Sequence, residues 1–233
     1  MYMQEHKEKD RGPHRINVIF VCAAAAAYIL TGLFRFVPIG VFFLAFAWAG
    51  REETSGQAKK RLDFRCFLIP LLLSAPLFLF APFITRSHML WRYPFQKAFH
   101  DIYNDSPEWI PAFSADVQSD YEFDVLPSVM QGIGHYSVRF VTTPERAAEY
   151  LEQFSAQAVC TVPYPENPSW EIQVPGNPDK PADLHLDAQF WQNGHSDGAA
   201  VCLLRYRCSD NHPASSAVII NSRTGAVQFT RYG

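Results

Sequence analysis

The sequence predicts an α-helical membrane segment of three transmembrane helices followed by an α+β domain, an antiparallel β-meander with one covering helix. Three observations predict it. Cys66–Ile84 is nineteen residues without a charge, long enough at about 1.5 Å per residue to cross a hydrocarbon core of about 30 Å. Ile16 to Ala49 is a second, longer apolar block. From residue 85 onward the composition is that of an ordinary globular domain, with period-two alternation and one clear stretch of helical periodicity.

Residues 1–15 (MYMQEHKEKDRGPHR) are polar, carry four Lys/Arg against three acids, and read as a short cytoplasmic tail. As a single helix the 34 residues from Ile16 to Ala49 would be about 51 Å long, too long for a bilayer. A hairpin over 16–50 fits better, with helices near 16–33 and 35–50 and turn formers at Thr31-Gly32, Pro38 and Gly40. A signal peptide is the competing reading of this block. The residues after the alanine run, Tyr28 to Phe34, stay apolar, which is wrong for a mature N-terminus. The five alanines at 23–27 suit a close helix-packing surface.

Residues 51–65 hold five Lys/Arg against three acids and form a basic loop that the positive-inside rule places in the cytoplasm. The helix over 66–84, kinked by Pro70, Pro76 and Pro82, then carries the chain out. The expectation is a multi-pass protein of the cell membrane whose C-terminal domain lies outside the cytoplasm. Two spans instead of three would reverse that side. None of the spans contains an acid, a His or a Lys, so they read as anchors and not as a transport path.

Residues 85–115 form a membrane-proximal aromatic segment, with Trp91 and Tyr93 as interfacial anchors and a short amphipathic helix near 95–104. The α+β domain follows over 116–233. Strands are expected at Tyr121–Leu126 and Gly134–Thr143. Thr143-Pro144 supplies an N-cap and a first-turn proline, so a helix follows over 144–157, its apolar face formed by Ala147, Tyr150, Leu151, Phe154 and Ala158. Further strands are expected at Trp170–Val174, Asp183–Gln192, Ala199–Cys208, Ala217–Asn221 and Ala226–Arg231, with a hairpin loop at Asn193–Gly198.

LPSVMQGIGHYSVRF and TPERAAEYLEQF, within about residues 126–154, resemble uncharacterised surface domains of Gram-positive bacteria in their Pro-x-x-x-Gln-Gly, strand, helix order. The resemblance implies a bacterial source and an exterior placement. It implies no activity.

Function classes narrow by charge and motif. Residues 85–233 carry ten Lys/Arg against seventeen Asp/Glu, net −7, so nucleic acid is excluded as a partner. No Gly-x-Ser-x-Gly, His-Glu-x-x-His, Walker or dinucleotide fingerprint occurs, no catalytic residue is assigned, and no cofactor is expected. On the strand expected at 183–192, Asp183, His185 and Asp187 project to one side and can hold a divalent cation; the plain alternative is the solvent face of an amphipathic strand. Cys202 and Cys208 lie about 20 Å apart along one strand and cannot bond to each other. Cys160 can pair with either, or all three are reduced thiols. The expected function is a non-catalytic binding or interaction domain carried by an integral membrane protein. Its expected partners are the lipid bilayer and another membrane or envelope protein. The alternatives are an envelope enzyme, a metal-assisted hydrolase using Asp183, His185 and Asp187, and an accessory subunit of a membrane complex.

Overall fold

The computed structural model describes residues 12–31, 37, 39–41, 43–44, 85–102, 107–128, 134–165, 171–175, 177–207 and 214–233. The chain divides into two compact units, Met1–Ala81 and Pro82–Gly233. In the first unit α1 (Gly12–Thr31) is a helix, and residues 37, 39–41 and 43–44 are helical as well. Phe20 stacks on Phe43 with ring centroids 4.8 Å apart. A Cβ placed on Gly40 would lie 3.5 Å from Ala24 Cβ, an ordinary van der Waals contact, so the two helical segments pack here at a distance an alanine would also allow.

The expectation of three transmembrane helices is corrected. Among the described residues no helix is long and apolar enough to cross a membrane. In α1 the reason is visible in the sequence. It opens with Gly-Pro-His-Arg-Ile-Asn, and its unbroken apolar run is the thirteen residues Val18–Leu30. That run is about 20 Å of helix, against a hydrocarbon core of about 30 Å. The helix expected over 35–50 falls mostly outside the described residues, and the one over 66–84 falls entirely outside them. The multi-pass membrane reading, the cell-membrane localisation and the placement of the C-terminal domain outside the cytoplasm all depended on those spans, and none of them stands.

The second unit is α+β. Seven strands form one antiparallel sheet: β1 (Thr85–Ser87), β2 (Ser119–Leu126), β3 (His135–Val141), β4 (Cys160–Pro163), β7 (Ala200–Arg207), β8 (Ala214–Asn221) and β9 (Ala226–Tyr232). Across the sheet they run β1-β2-β3-β9-β8-β7-β4. β5 (Glu171–Val174) and β6 (Asn177–Asp183) pair separately as a hairpin. The helices are α2 (Tyr93–Asp101), α3 (Pro144–Gln157) and α4 (Ala188–Gln192). The sheet is therefore two meanders, β1-β2-β3 and β7-β8-β9, joined edge to edge by β3 and β9, with β4 added beside β7 at the far edge.

Alternation along the strands makes two different faces. The first buries Phe123, Val138, Phe140, Val218 and Phe229 under Ala147, Tyr150 and Phe154 of α3 and under Phe113. The helix expected at 144–157 occupies Pro144–Gln157, and Thr143 Oγ1 accepts from Arg146 N at 3.1 Å as its cap. Tyr93, expected as an interfacial anchor, is instead buried in this core, its ring 4.6 Å from that of Phe113; Trp91 beside it is exposed. The β8–β9 turn ends on Gly225 at φ +76, where a Cβ would overlap Thr142 O, so only glycine suits the position.

The second face is divided. Over β7 and β8 it is apolar, with Val201, Leu203, Ala217 and Ile219 packed under Leu184, Leu186 and Trp191. Over β1, β2, β3 and β9 it is polar. No strand runs over 183–192: β6 ends at Asp183, residues 184–187 cross the sheet without pairing, and α4 follows. The cause is Asp187, whose carboxylate accepts from Phe190 N at 3.1 Å and starts a helix. Leu184 and Leu186 still alternate with His185 and Asp187, because an extended segment keeps the period of two with or without a ladder.

Candidate metal centre

Three strands place the polar half of the second face. β2 contributes Glu122 and Asp124, at alternate positions from the core residues Phe123 and Val125. β3 contributes His135, Ser137 and Arg139, alternating with Tyr136, Val138 and Phe140. β9 contributes Gln228 and Thr230. The register sets Leu126 opposite His135 and Asp124 opposite Ser137, so Asp124 and His135 are diagonal neighbours on one face.

The unpaired stretch 184–187 lies over this face and brings His185 to it. Asp124, His135 and His185 each offer a ligand atom, and these atoms lie within 4.8 Å of one another. His135 Nε2 is 3.3 Å and His185 Nε2 3.8 Å from Asp124 Oδ2. Ligands bonded at about 2.0–2.1 Å to a tetrahedral ion sit about 3.4 Å apart, so these separations suit one ion. The two imidazoles are stacked, centroids 3.7 Å apart and planes 4° from parallel. Parallel rings send their in-plane lone pairs side by side, so closing on an ion requires one ring to tilt. All three side chains are partly open to solvent, at 25%, 14% and 17% exposure for Asp124, His135 and His185.

The electrostatics favour the ligating protonation state at His185 and at Asp124. Burial, reinforced by the neighbouring His135, lowers the His185 pKa to about 4, so its imidazole is neutral near pH 7. Burial pushes Asp124 up, but the hydrogen bond and charge of His135, with His185 and Arg86, hold it below its ordinary value as a carboxylate. The backbone of His185 is clamped: its carbonyl accepts from Thr230 Oγ1 at 2.9 Å and from Gln228 Nε2 at 3.2 Å. Gln228 in turn bonds Ser137 Oγ at 2.9 Å and accepts from Trp191 Nε1 at 2.6 Å. Such outer-shell bonds orient a ligand.

Beside this group the polar residues are satisfied as ion pairs. Glu122 is buried and takes Arg86 Nε at 2.5 Å on one oxygen and Arg139 on the other. Arg139 Nε also meets Asp187 Oδ2 at 2.6 Å, and its guanidinium lies 4.6 Å from the centroid of the Phe190 ring. No general base is therefore left over at Glu122.

Of the residues singled out in the sequence, only His185 belongs to this group. Asp187 is engaged as the α4 cap and as the partner of Arg139. Asp183 ends β6 opposite Glu171. In the loop expected at Asn193–Gly198 the backbone carbonyls of His195 and Asp197 both accept from Asn221 Nδ2. Cys160 and Cys202 are free thiols. Thr161, not Cys160, is the register partner of Cys202, so the two thiols face opposite sides of the sheet. A Cys160–Cys208 pair lies outside the described residues. Asp124 and His135 were within reach of the alternation argument, which already puts them opposite the core residues of their strands; the pairing that joins them to His185 was not.

No family model, no curated protein and no solved structure matches this chain. The likeness of residues 126–154 to bacterial surface domains accordingly brings no family with it.

Proposed function

We propose that the domain is a non-catalytic binding domain whose ligand is a divalent transition-metal ion held by Asp124, His135 and His185. The observation that carries this reading is the convergence of two imidazoles and one carboxylate within 4.8 Å on one face of a sheet. Two nitrogens and one oxygen suit Zn²⁺ and its first-row neighbours; Mg²⁺ and Ca²⁺ favour oxygen sets. Three protein ligands and partial exposure leave a position for water or for a group on a partner. That open position favours a metal-assisted hydrolase as the second reading, with the ion activating a water. Glu122, the nearest buried carboxylate on the same strand face, is tied to two arginines, and this supports binding over hydrolysis.

The test is a calorimetric titration of the full chain with Zn²⁺ near pH 7, repeated with Asp124→Asn and His185→Ala. The reading expects one ion per chain, no displacement by excess Mg²⁺, and affinity reduced more than about tenfold in each variant. A parent chain that takes up no ion, or an Asp124→Asn chain that binds as tightly, overturns it.

A further inference from the structure

The arginines of this domain are not all treated alike. Arg86 is paired with Glu122, Arg139 with Glu122 and Asp187, Arg146 with Asp116 and Glu149, and Arg223 with Asp197. Arg92, Arg205 and Arg231 differ: among the described residues none has an acidic partner within ion-pair distance, and of the three only Arg92 lies over a ring, that of Trp91. A domain with seventeen acids has carboxylates to spare, so supply does not explain why Arg205 and Arg231 are left without them.

Their placement is not scattered. The register pairs Arg205 of β7 with Ser216 of β8, and Ser216 with Arg231 of β9. The three form one row across adjacent strands, on the face opposite Asp124, and each step is about 4.8 Å. Arg205 is exposed, Arg231 half-buried, and Ser216 buried in the floor between them. They line an open groove of about 740 Å³ whose other walls include Leu204 and Val159, the latter exposed to 62%. Two guanidiniums flanking a hydroxyl offer forked donors matched to an oxyanion, and the apolar wall offers contact for whatever carries it.

We infer that the row Arg205–Ser216–Arg231 is a binding site for an organic oxyanion, a phosphate or carboxylate group on an apolar body. The oxyanion sits between the guanidiniums over Ser216, and the apolar body lies against Leu204 and Val159. This site is independent of the metal centre and does not rest on it.

The experiment is a calorimetric titration of the full chain at low salt with phenyl phosphate, benzoate and inorganic phosphate. Phenyl phosphate or benzoate binds, whichever is tighter assigning the head group, and inorganic phosphate binds more weakly because it lacks the apolar body. Arg205→Gln and Arg231→Gln each weaken binding about tenfold or more, and added salt weakens it further. Asp124→Asn leaves it unchanged, which separates this site from the metal. Both arginines are outside the apolar core, and the lysine variants Arg205→Lys and Arg231→Lys keep the charge while removing the fork, so a weakened affinity there reads the geometry directly. Failure of all three probes to bind the parent chain overturns the inference, and so does unchanged affinity in the Arg205→Gln, Arg231→Gln double variant.

Discussion

His185 lies flat on His135, ring centroids 3.7 Å apart and planes 4° from parallel, with Asp124 at the edge of both. Burial, reinforced by the neighbouring His135, keeps the His185 imidazole neutral near pH 7, the state in which it can bind a metal ion.

That arrangement depends on a residue that touches no ion. Gln228 is fully buried and joins Trp191, Ser137 and the His185 carbonyl. Gln228→Leu removes these partners and leaves the indole N–H and the hydroxyl buried without them. The expected loss is about 2–4 kcal/mol in urea unfolding, from the penalty for unsatisfied buried groups. Zinc affinity falls about tenfold or more in the chain that remains folded, as for other outer-shell changes.

Phe229 is the hub of the opposite face. Its ring meets those of Phe113, Phe140, Tyr150, Phe154 and Trp109 at centroid distances of 5.7–6.2 Å. Phe229→Ala opens a cavity that α3 and three strands share, with an expected cost of about 3–5 kcal/mol. Denaturant unfolding of the parent and the variant measures it.

Helix α3 was legible because its signals are local: Thr143 as cap, Pro144 in the first turn, and apolar residues at helical spacing. Residues 183–192 misled because alternation is shared by any extended segment, and the capping role of Asp187 competes with a strand only when Phe190 N is there to be bonded. The metal group was half legible. Face assignments within β2 and β3 follow from alternation, but the register that makes Asp124 and His135 diagonal, and the path that lays His185 over them, are set by long-range pairing. The apolar N-terminal block misled in another way. An apolar block is not yet a span, which needs about twenty predominantly apolar residues within one helix; α1 opens with Gly-Pro-His-Arg-Ile-Asn and its apolar run is the thirteen residues Val18–Leu30.

Alkaline pH tests the packing over the second face. Tyr164 is buried against Trp191, ring centroids 5.3 Å apart, and its hydroxyl has no hydrogen-bond partner among the described residues. Burial, with the charge of Asp187, raises its pKa to about 12. A tyrosine raised in the folded state contributes stability that is present below its unfolded pKa of about 10 and lost as pH rises from there towards 12. Fluorescence-monitored unfolding across pH 9–12 is expected to show that decline, and Tyr164→Phe is expected to shift its midpoint to higher pH.

Closure of Asp124, His135 and His185 on one ion is read by a Zn²⁺ titration followed through the side-chain ¹⁵N signals of the eight histidines. The His135 and His185 signals are expected to move together and complete their change at one equivalent, and in Asp124→Asn to need about tenfold or more zinc for the same change, while His88 and His195 are unaffected. Zinc that leaves the His135 and His185 signals unmoved, or that moves them equally well without Asp124, would contradict it.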